Sequence, residues 1–131
     1  AFGHERRGTP EALAELGRRS EPTWVVVVVP PFTVDERPVS SSAIRRLVAA
    51  GDLAPAERLL GRAYCVTGLP DPDDPGRLRF ALPVALPPPG RHRVRAGDRD
   101  AVAIVTAGDP GVVVDGLEPA TGPVTLRFVA D

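Results

Sequence analysis

The stretch HRVRAGDRDAVAIVT, residues 92–106, contains two strand-like runs on either side of a turn sequence. In His92–Arg95 and the preceding Arg91, arginines alternate with His92 and Val94 and so give one positive face. That face could bind phosphate or nucleic acid, but without interleaved aromatic residues we expect an ordinary solvated surface. Ala101–Thr106 is apolar and rich in β-branched residues. Gly and Asp in the connection, residues 97–100, favour a tight turn. We therefore expect an antiparallel hairpin, in which Asp98 and Asp100 serve turn geometry rather than catalysis.

Similar short runs recur on both sides of this hairpin, from residue 64 to the end of the chain. Proline, glycine and aspartate separate them, and such regular spacing is typical of a small closed antiparallel sheet. Residues 63–131 are therefore predicted to form a six-stranded antiparallel β-barrel. The predicted strands are Tyr64–Thr67, Leu78–Leu82, His92–Arg95, Ala101–Thr106, Val112–Val114 and Val124–Val129.

The first thirty residues predict one helix and one buried strand. Thr9 is a good N-cap and Gly17 a good terminator, so we expect a helix over residues 10–16. Trp24–Val29 is an unbroken β-branched run, a pattern typical of a strand buried on both faces of a parallel sheet. Because one strand cannot form a sheet, we expect a missing N-terminal half of a longer protein, or another protomer, to cover this run.

Between this run and the barrel, the sequence predicts two short helices in a hairpin. Ser41 or Ser42 is expected to cap the first helix, and Gly51 to end it. Asp52 is expected to cap the second helix, which Gly61 ends.

Composition limits the classes of function. The chain has 131 residues, and its 16 cationic side chains are all Arg, against 17 acids, for a net charge of −1. No nucleic-acid or membrane partner is indicated by that balance, and the longest apolar run is too short to span a bilayer. With no secretory signal in the sequence, we expect a cytoplasmic protein. The single cysteine, Cys65, cannot form an internal disulfide, and no His and Cys spacing predicts a metal site.

The segment VSSSAIR, residues 39–45, is followed by GDL at 51–53 and LLGRAY at 59–64. This order and spacing resembles the I-S-S-T-x-I-R … G-D … L-L-G-R-P-Y segment of bacterial FAD synthetases. FGHERRG, residues 2–8, is similar to the F-G-x-x-x-x-G segment of the same family. The resemblance implies an α+β chain, in which residues 1–62 are the C-terminal part of a Rossmann-type nucleotidyltransferase domain, with helix, buried strand and helical hairpin. Residues 63–131 would then be a riboflavin-kinase-like barrel.

The resemblance also implies an activity, FMN adenylyltransferase, which converts FMN and ATP into FAD and diphosphate. The substrates and products are nucleotide and flavin small molecules, ATP with magnesium, FMN and FAD. Hydroxyls and free backbone N–H groups at a helix start, with an Arg one turn on, can bind a phosphate. Spacing alone favours an ordinary N-cap with a solvated Arg, and the resemblance reverses that preference in favour of the phosphate. The phosphate-binding candidates are Ser40, Ser41, Ser42 and Arg45, and the accessory nucleotide or flavin contacts are Phe2, Gly3, Arg6 and Arg7.

Two departures from the family limit this prediction. The family's histidine-containing G-x-F-D-G-x-H-x-G-H stretch does not occur, so no catalytic residue is expected in this chain, and His4 is expected in an exposed loop. If Pro83 matches the proline of the kinase motif, Val84 and Leu86 stand where Thr and Asn would hold magnesium-ATP. The barrel is therefore expected to lack kinase activity. The alternative function is a non-catalytic β-barrel that acts as a binding or assembly module.

Overall fold

The chain folds into two compact units, the first of which ends at Phe32. The computed structural model describes residues 2–131, and a second compact unit covers Thr33–Asp131. In the first unit, a single 3-10 turn, His4–Arg6, precedes helix α1, Pro10–Arg19. Thr9 caps α1 as predicted, because its hydroxyl accepts a hydrogen bond from the Ala12 N–H at 3.1 Å.

Gly17 does not end α1. It lies buried within the helix, where a Cβ atom would stand 2.7 Å from the Trp24 carbonyl oxygen. Its missing side chain therefore permits a close approach of the backbone rather than a left-handed turn.

The predicted buried strand over Trp24–Val29 is wrong. This run forms no strand, and Val25 and Val27 are 85% and 81% exposed. A β-branched run becomes a strand only beside a partner strand, and residues 2–131 offer it none.

The second unit opens with a small β-hairpin. Strand β1, Thr33–Val34, pairs antiparallel with β2, Arg37–Pro38. Asp35 and Glu36 between them have φ of 49° and 61°, and positive φ at both central residues suits the twist of a two-residue hairpin.

Two helices follow, α2 over Ser41–Ala50 and α3 over Leu53–Leu60. Gly51 ends α2 as predicted, with φ of 85°. The predicted caps differ: Ser40, rather than Ser41 or Ser42, caps α2, and the Asp52 side chain makes no capping bond to α3. The Asp52 N–H donates to the Leu47 carbonyl at 2.9 Å, so the backbone of Asp52 helps to close the C-terminal end of α2.

The predicted six-stranded antiparallel barrel is confirmed. The strands are β3 Cys65–Pro70, β4 Arg77–Arg79, β5 Gly90–Ala96, β6 Arg99–Val105, β7 Val112–Asp115 and β8 Val124–Phe128. The barrel closes in the order β3-β4-β7-β6-β5-β8, with β8 pairing with both β5 and β3. The β4 strand ends at Arg79 rather than Leu82, and all strand boundaries lie within three residues of the prediction.

The buried hydrophobic core lies in the second unit. Val48, Leu53 and Ala56 extend it from the barrel into the helical hairpin, so the two helices and the barrel share one core. None of the helices in residues 2–131 has the length and apolar character needed to cross a bilayer. The barrel contributes Val66, Leu78, Val94, Ala101, Ala103, Val105, Val112, Val114, Leu126 and Phe128.

Candidate functional site

The three serine candidates lie together at the start of α2, and Ser40 is its N-cap. The Ser40 hydroxyl accepts from the Ala43 N–H at 3.1 Å, and the Ser40 carbonyl accepts from Ile44 N–H at 3.0 Å. Helix geometry leaves the N–H groups of Ser41 and Ser42 without an intrahelical acceptor, and both side chains are exposed. The turn therefore presents two N–H groups and two hydroxyls to a ligand, while the third hydroxyl caps the helix.

Arg45 lies four residues after Ser41 and therefore on the same face of α2. Its side chain is exposed, and its positive charge acts on Tyr64, at the entrance to β3. Burial raises the pKa of the Tyr64 phenol, and the Arg45 charge opposes that rise. The Tyr64 Oη donates to the Ala85 carbonyl at 2.7 Å. This hydrogen bond fixes the phenol on which the Arg45 charge acts.

The four accessory candidates belong to the first unit, whereas Ser40–Arg45 belongs to the second. Phe2 and Gly8 exchange backbone hydrogen bonds of 2.9 and 2.8 Å, which close a short exposed loop around the 3-10 turn. Gly3 has φ of 76° and Arg6 has φ of 56°. Arg7 pairs with Glu5 at 2.7 Å, and the His4 side chain is exposed.

Apolar side chains occupy the two positions at which the kinase motif would hold magnesium-ATP. Val84 and Leu86 lie in the connection between β4 and β5 and pack, partly buried, against the core. The Ala85 carbonyl between them accepts the Tyr64 hydrogen bond. Apolar side chains cannot ligate a hard cation, so these two positions supply packing.

An ion pair that the sequence did not reveal joins Arg77, at the start of β4, to Asp109 in the connection between β6 and β7. Arg77 Nη1 donates to Asp109 Oδ2 at 2.6 Å, Nη2 donates to Oδ1, and the Gly111 N–H donates to Oδ1 at 2.8 Å. The Arg77 hydrogen bond, followed by the one from Gly111, lowers the pKa of Asp109. A Cβ atom on Gly111 would stand 2.8 Å from Arg77 Nη2. The Arg77–Asp109 ion pair therefore has a structural role, because it joins β4 to the connection between β6 and β7.

A group of arginines on the outside of the barrel was only partly predicted. The alternation of β5 placed Arg91, Arg93 and Arg95 on one face, and they do lie on the outer face. Arg127 was missed because pairing between distant strands places it opposite Arg95. Arg62, in the connection between α3 and β3, was missed because only the folded chain brings it to the same cavity. A cavity of about 360 Å³ is lined by Arg62, Ala63, Cys65, Arg95, Gly97, Thr125 and Arg127.

Comparison with known proteins supports the architecture. No protein-family model matches the sequence, and a comparison with curated proteins gives no significant match. Among solved structures, the chain is similar to the crystal structure of a macrolide-efflux protein from Streptococcus pneumoniae, with a TM-score of 0.62 and 20% sequence identity. The similarity covers 97% of this chain and 46% of that one, so this chain spans less than half the length of its structural neighbour. At this identity the likeness shows the fold alone.

Proposed function

We propose that this chain contributes the ATP-phosphate-binding segment of an FMN adenylyltransferase resembling bacterial FAD synthetases. In this proposal, Ser40–Ser42 and Arg45 bind phosphates of magnesium-ATP, and the products are FAD and diphosphate. The observation that carries the proposal is the exposed first turn of α2, where N–H groups and hydroxyls of Ser41 and Ser42 share the helix start with Arg45.

The chemistry of that turn favours an anion for two reasons. The positive end of the helix contributes about 0.3–1 kcal/mol to anion binding. A charge-assisted hydrogen bond from Arg45 adds about 1.5–3 kcal/mol before its desolvation cost is subtracted. Because the Ser40 hydroxyl already caps α2, its share in phosphate binding is secondary to that of Ser41 and Ser42.

In this proposal, the catalytic groups belong to another part of a longer cytoplasmic protein, or to another protomer. Residues 1–62 would belong to the adenylyltransferase part and 63–131 to the riboflavin-kinase-like barrel. That other part or protomer would cover the exposed run Trp24–Val29. Phe2, Gly3, Arg6 and Arg7 would contribute accessory contacts to nucleotide or flavin.

The barrel is proposed to have no riboflavin kinase activity, because Val84 and Leu86 pack as hydrocarbon where the family holds magnesium-ATP. Incubation of the chain with riboflavin and magnesium-ATP should give no FMN by chromatography. Turnover would contradict the proposal for the barrel and leave the α2 proposal untouched.

The α2 proposal is tested by calorimetric titration of the chain with magnesium-ATP. Arg45→Ala should weaken binding about tenfold or more, since it removes a charge-assisted hydrogen bond. Arg46→Ala is the matched control, because Arg46 is the next residue of the same helix and is equally exposed. Equal losses in the two variants, or no binding by the unmodified chain, would overturn the proposal.

A second candidate function is a non-catalytic barrel that binds or assembles with a partner. The closed barrel with its own core, together with hydrocarbon at the kinase positions, favours this candidate. It predicts that the chain forms a complex of defined mass with a partner, and that Arg45→Ala leaves that complex intact in size-exclusion chromatography with light scattering.

A further inference from the structure

Strand pairing places two arginines side by side on the outside of the barrel. Cys65 of β3 lies opposite Arg127 of β8, and Arg127 lies opposite Arg95 of β5. This row faces outward, because the adjacent residues Val94 and Leu126 are buried in the core. Directly opposed residues on antiparallel strands have Cβ atoms about 4.5–5.5 Å apart, so the stems of the two arginines are neighbours.

The three arginines differ in how their charge is compensated. Arg95 Nε is buried without a hydrogen-bond partner and lies 3.6 Å from Asp100 Oδ1, and Arg95 Nη2 donates to the Asp98 carbonyl at 3.0 Å. Among residues 2–131, no carboxylate lies within salt-bridge distance of Arg127 or Arg62, and Arg62 donates only to the Ala63 carbonyl, at 3.3 Å. Like charges directly opposite each other are destabilising, so a bound anion would stabilise this row.

The other outward arginines of β5, Arg91 and Arg93, lie near carboxylates. Arg91 pairs with Asp115 at 3.4 Å, and Arg93 lies 3.9 Å from Asp131. Every outward arginine of β5 therefore has a carboxylate nearby, whereas Arg127 and Arg62, which line the cavity with Arg95, do not.

The cavity between the three arginines has room for a ligand. It measures about 360 Å³, and Arg62, Arg95 and Arg127 contribute to its lining. Gly97 also lines it. The Thr125 hydroxyl at its edge is hydrogen-bonded to the Thr67 hydroxyl at 2.7 Å. Several guanidinium groups around one cavity suit the oxygens of a phosphate, which Arg can bind in bidentate geometry.

We propose that this cavity is a binding site for a diphosphate group, held by Arg62, Arg95 and Arg127. The lining shares no residue with Ser40–Arg45, so this site is separate from the one proposed on α2. The diphosphate can be the free inorganic ion or part of a nucleotide, and the two sources offer the same chemistry to the arginines.

The single cysteine provides a reporter inside the cavity. Cys65 is half-buried and lines the cavity, and no other cysteine competes for a thiol reagent. The rate of Cys65 alkylation by iodoacetamide should be measured at constant ionic strength with sodium chloride, inorganic diphosphate or ADP. The proposal expects diphosphate, ADP or both to slow alkylation, and sodium chloride at equal ionic strength to have no such effect.

Variants then assign the protection to the arginines. Arg127→Gln should weaken protection about tenfold or more in ligand concentration, whereas Arg93→Gln, on the same outer face but outside the cavity, should leave it unchanged. Arg62→Gln is a second variant outside the strands, for use if circular dichroism shows that Arg127→Gln fails to fold. It should weaken protection as well.

The outcomes are distinct. Protection by inorganic diphosphate alone identifies the free ion, and protection by ADP at lower concentration identifies a nucleotide; both support the site. No protection by either ligand, or the same loss in Arg93→Gln as in Arg127→Gln, overturns it. Protection of Cys65 that persists in Arg45→Ala, after magnesium-ATP binding to α2 is lost, separates this site from the proposed function.

Discussion

The stability of the fold is expected to depend on pH through the Asp109 carboxylate. Its folded pKa lies below its ordinary value because Arg77 and the Gly111 N–H bind the ionised form. A group with a depressed folded pKa contributes stability above its unfolded pKa of about 3.9, and this is lost as pH falls through the folded value. Asp109→Asn should therefore lower the melting temperature at neutral pH, and its difference from the unmodified chain should shrink below about pH 4.

Thermal unfolding followed by circular dichroism from acid to neutral pH measures this difference. Asp73→Asn is the control, because Asp73 is an exposed aspartate outside the pairs that bind Asp109. A difference in melting temperature for Asp109→Asn that stays constant from acid to neutral pH would show that the ion pair with Arg77 does not contribute to stability in solution.

Ser40 and Ser42 separate capping from ligand binding. Ser40→Ala removes the hydroxyl that accepts the Ala43 N–H and should lower the free energy of unfolding by about 1 kcal/mol. Ser42→Ala changes an exposed first-turn residue without a capping bond, and should alter stability little. Urea denaturation of both variants checks this, and an equal loss in the two would mean that the cap is not where the structure places it.

At the scale of elements, the sequence predicts what local chemistry decides. Alternation and turn residues predicted all six barrel strands, and Thr9 and Gly51 marked a helix start and a helix end. Trp24–Val29 was predicted wrongly, because whether a β-branched run pairs depends on strands elsewhere in the chain.

The same limit applies to the sites. Ser40–Arg45 is contiguous, so its grouping on one helical turn followed from the sequence alone. The row of Cys65, Arg127 and Arg95 depends on the barrel order and on the register between strands that are far apart in the sequence. Strand alternation indicated the arginine face of β5, but no local pattern indicates which residue of β8 stands opposite Arg95.

Strand β8, the last strand in the chain, closes the barrel by pairing with its first strand, β3, and with β5. Leu126, fully buried on this strand, fills the barrel interior. Leu126→Ala should lower the free energy of unfolding by about 2–5 kcal/mol, through lost hydrophobic burial and the cavity left behind. Leu82→Ala, at a 77% exposed leucine, is the control and should have little effect in the same urea titration. A small loss at Leu126 would mean that the barrel interior collapses around the smaller side chain.

At the scale of the whole molecule, the buried hydrophobic core belongs to the second compact unit, Thr33–Asp131. A unit that contains its own core, a closed barrel and a packed helical hairpin has what independent folding requires. We therefore expect residues 33–131, produced alone, to unfold in a single cooperative transition, with a free energy of unfolding within about 1 kcal/mol of the whole chain. Urea denaturation followed by near-ultraviolet and far-ultraviolet circular dichroism measures both. Val48→Ala in the shorter chain is the internal control, because it should destabilise the short and the full chain equally if the same core is intact. A broad transition, or transitions that differ between the two spectral ranges, would show that the residues before Thr33 are needed to complete the fold.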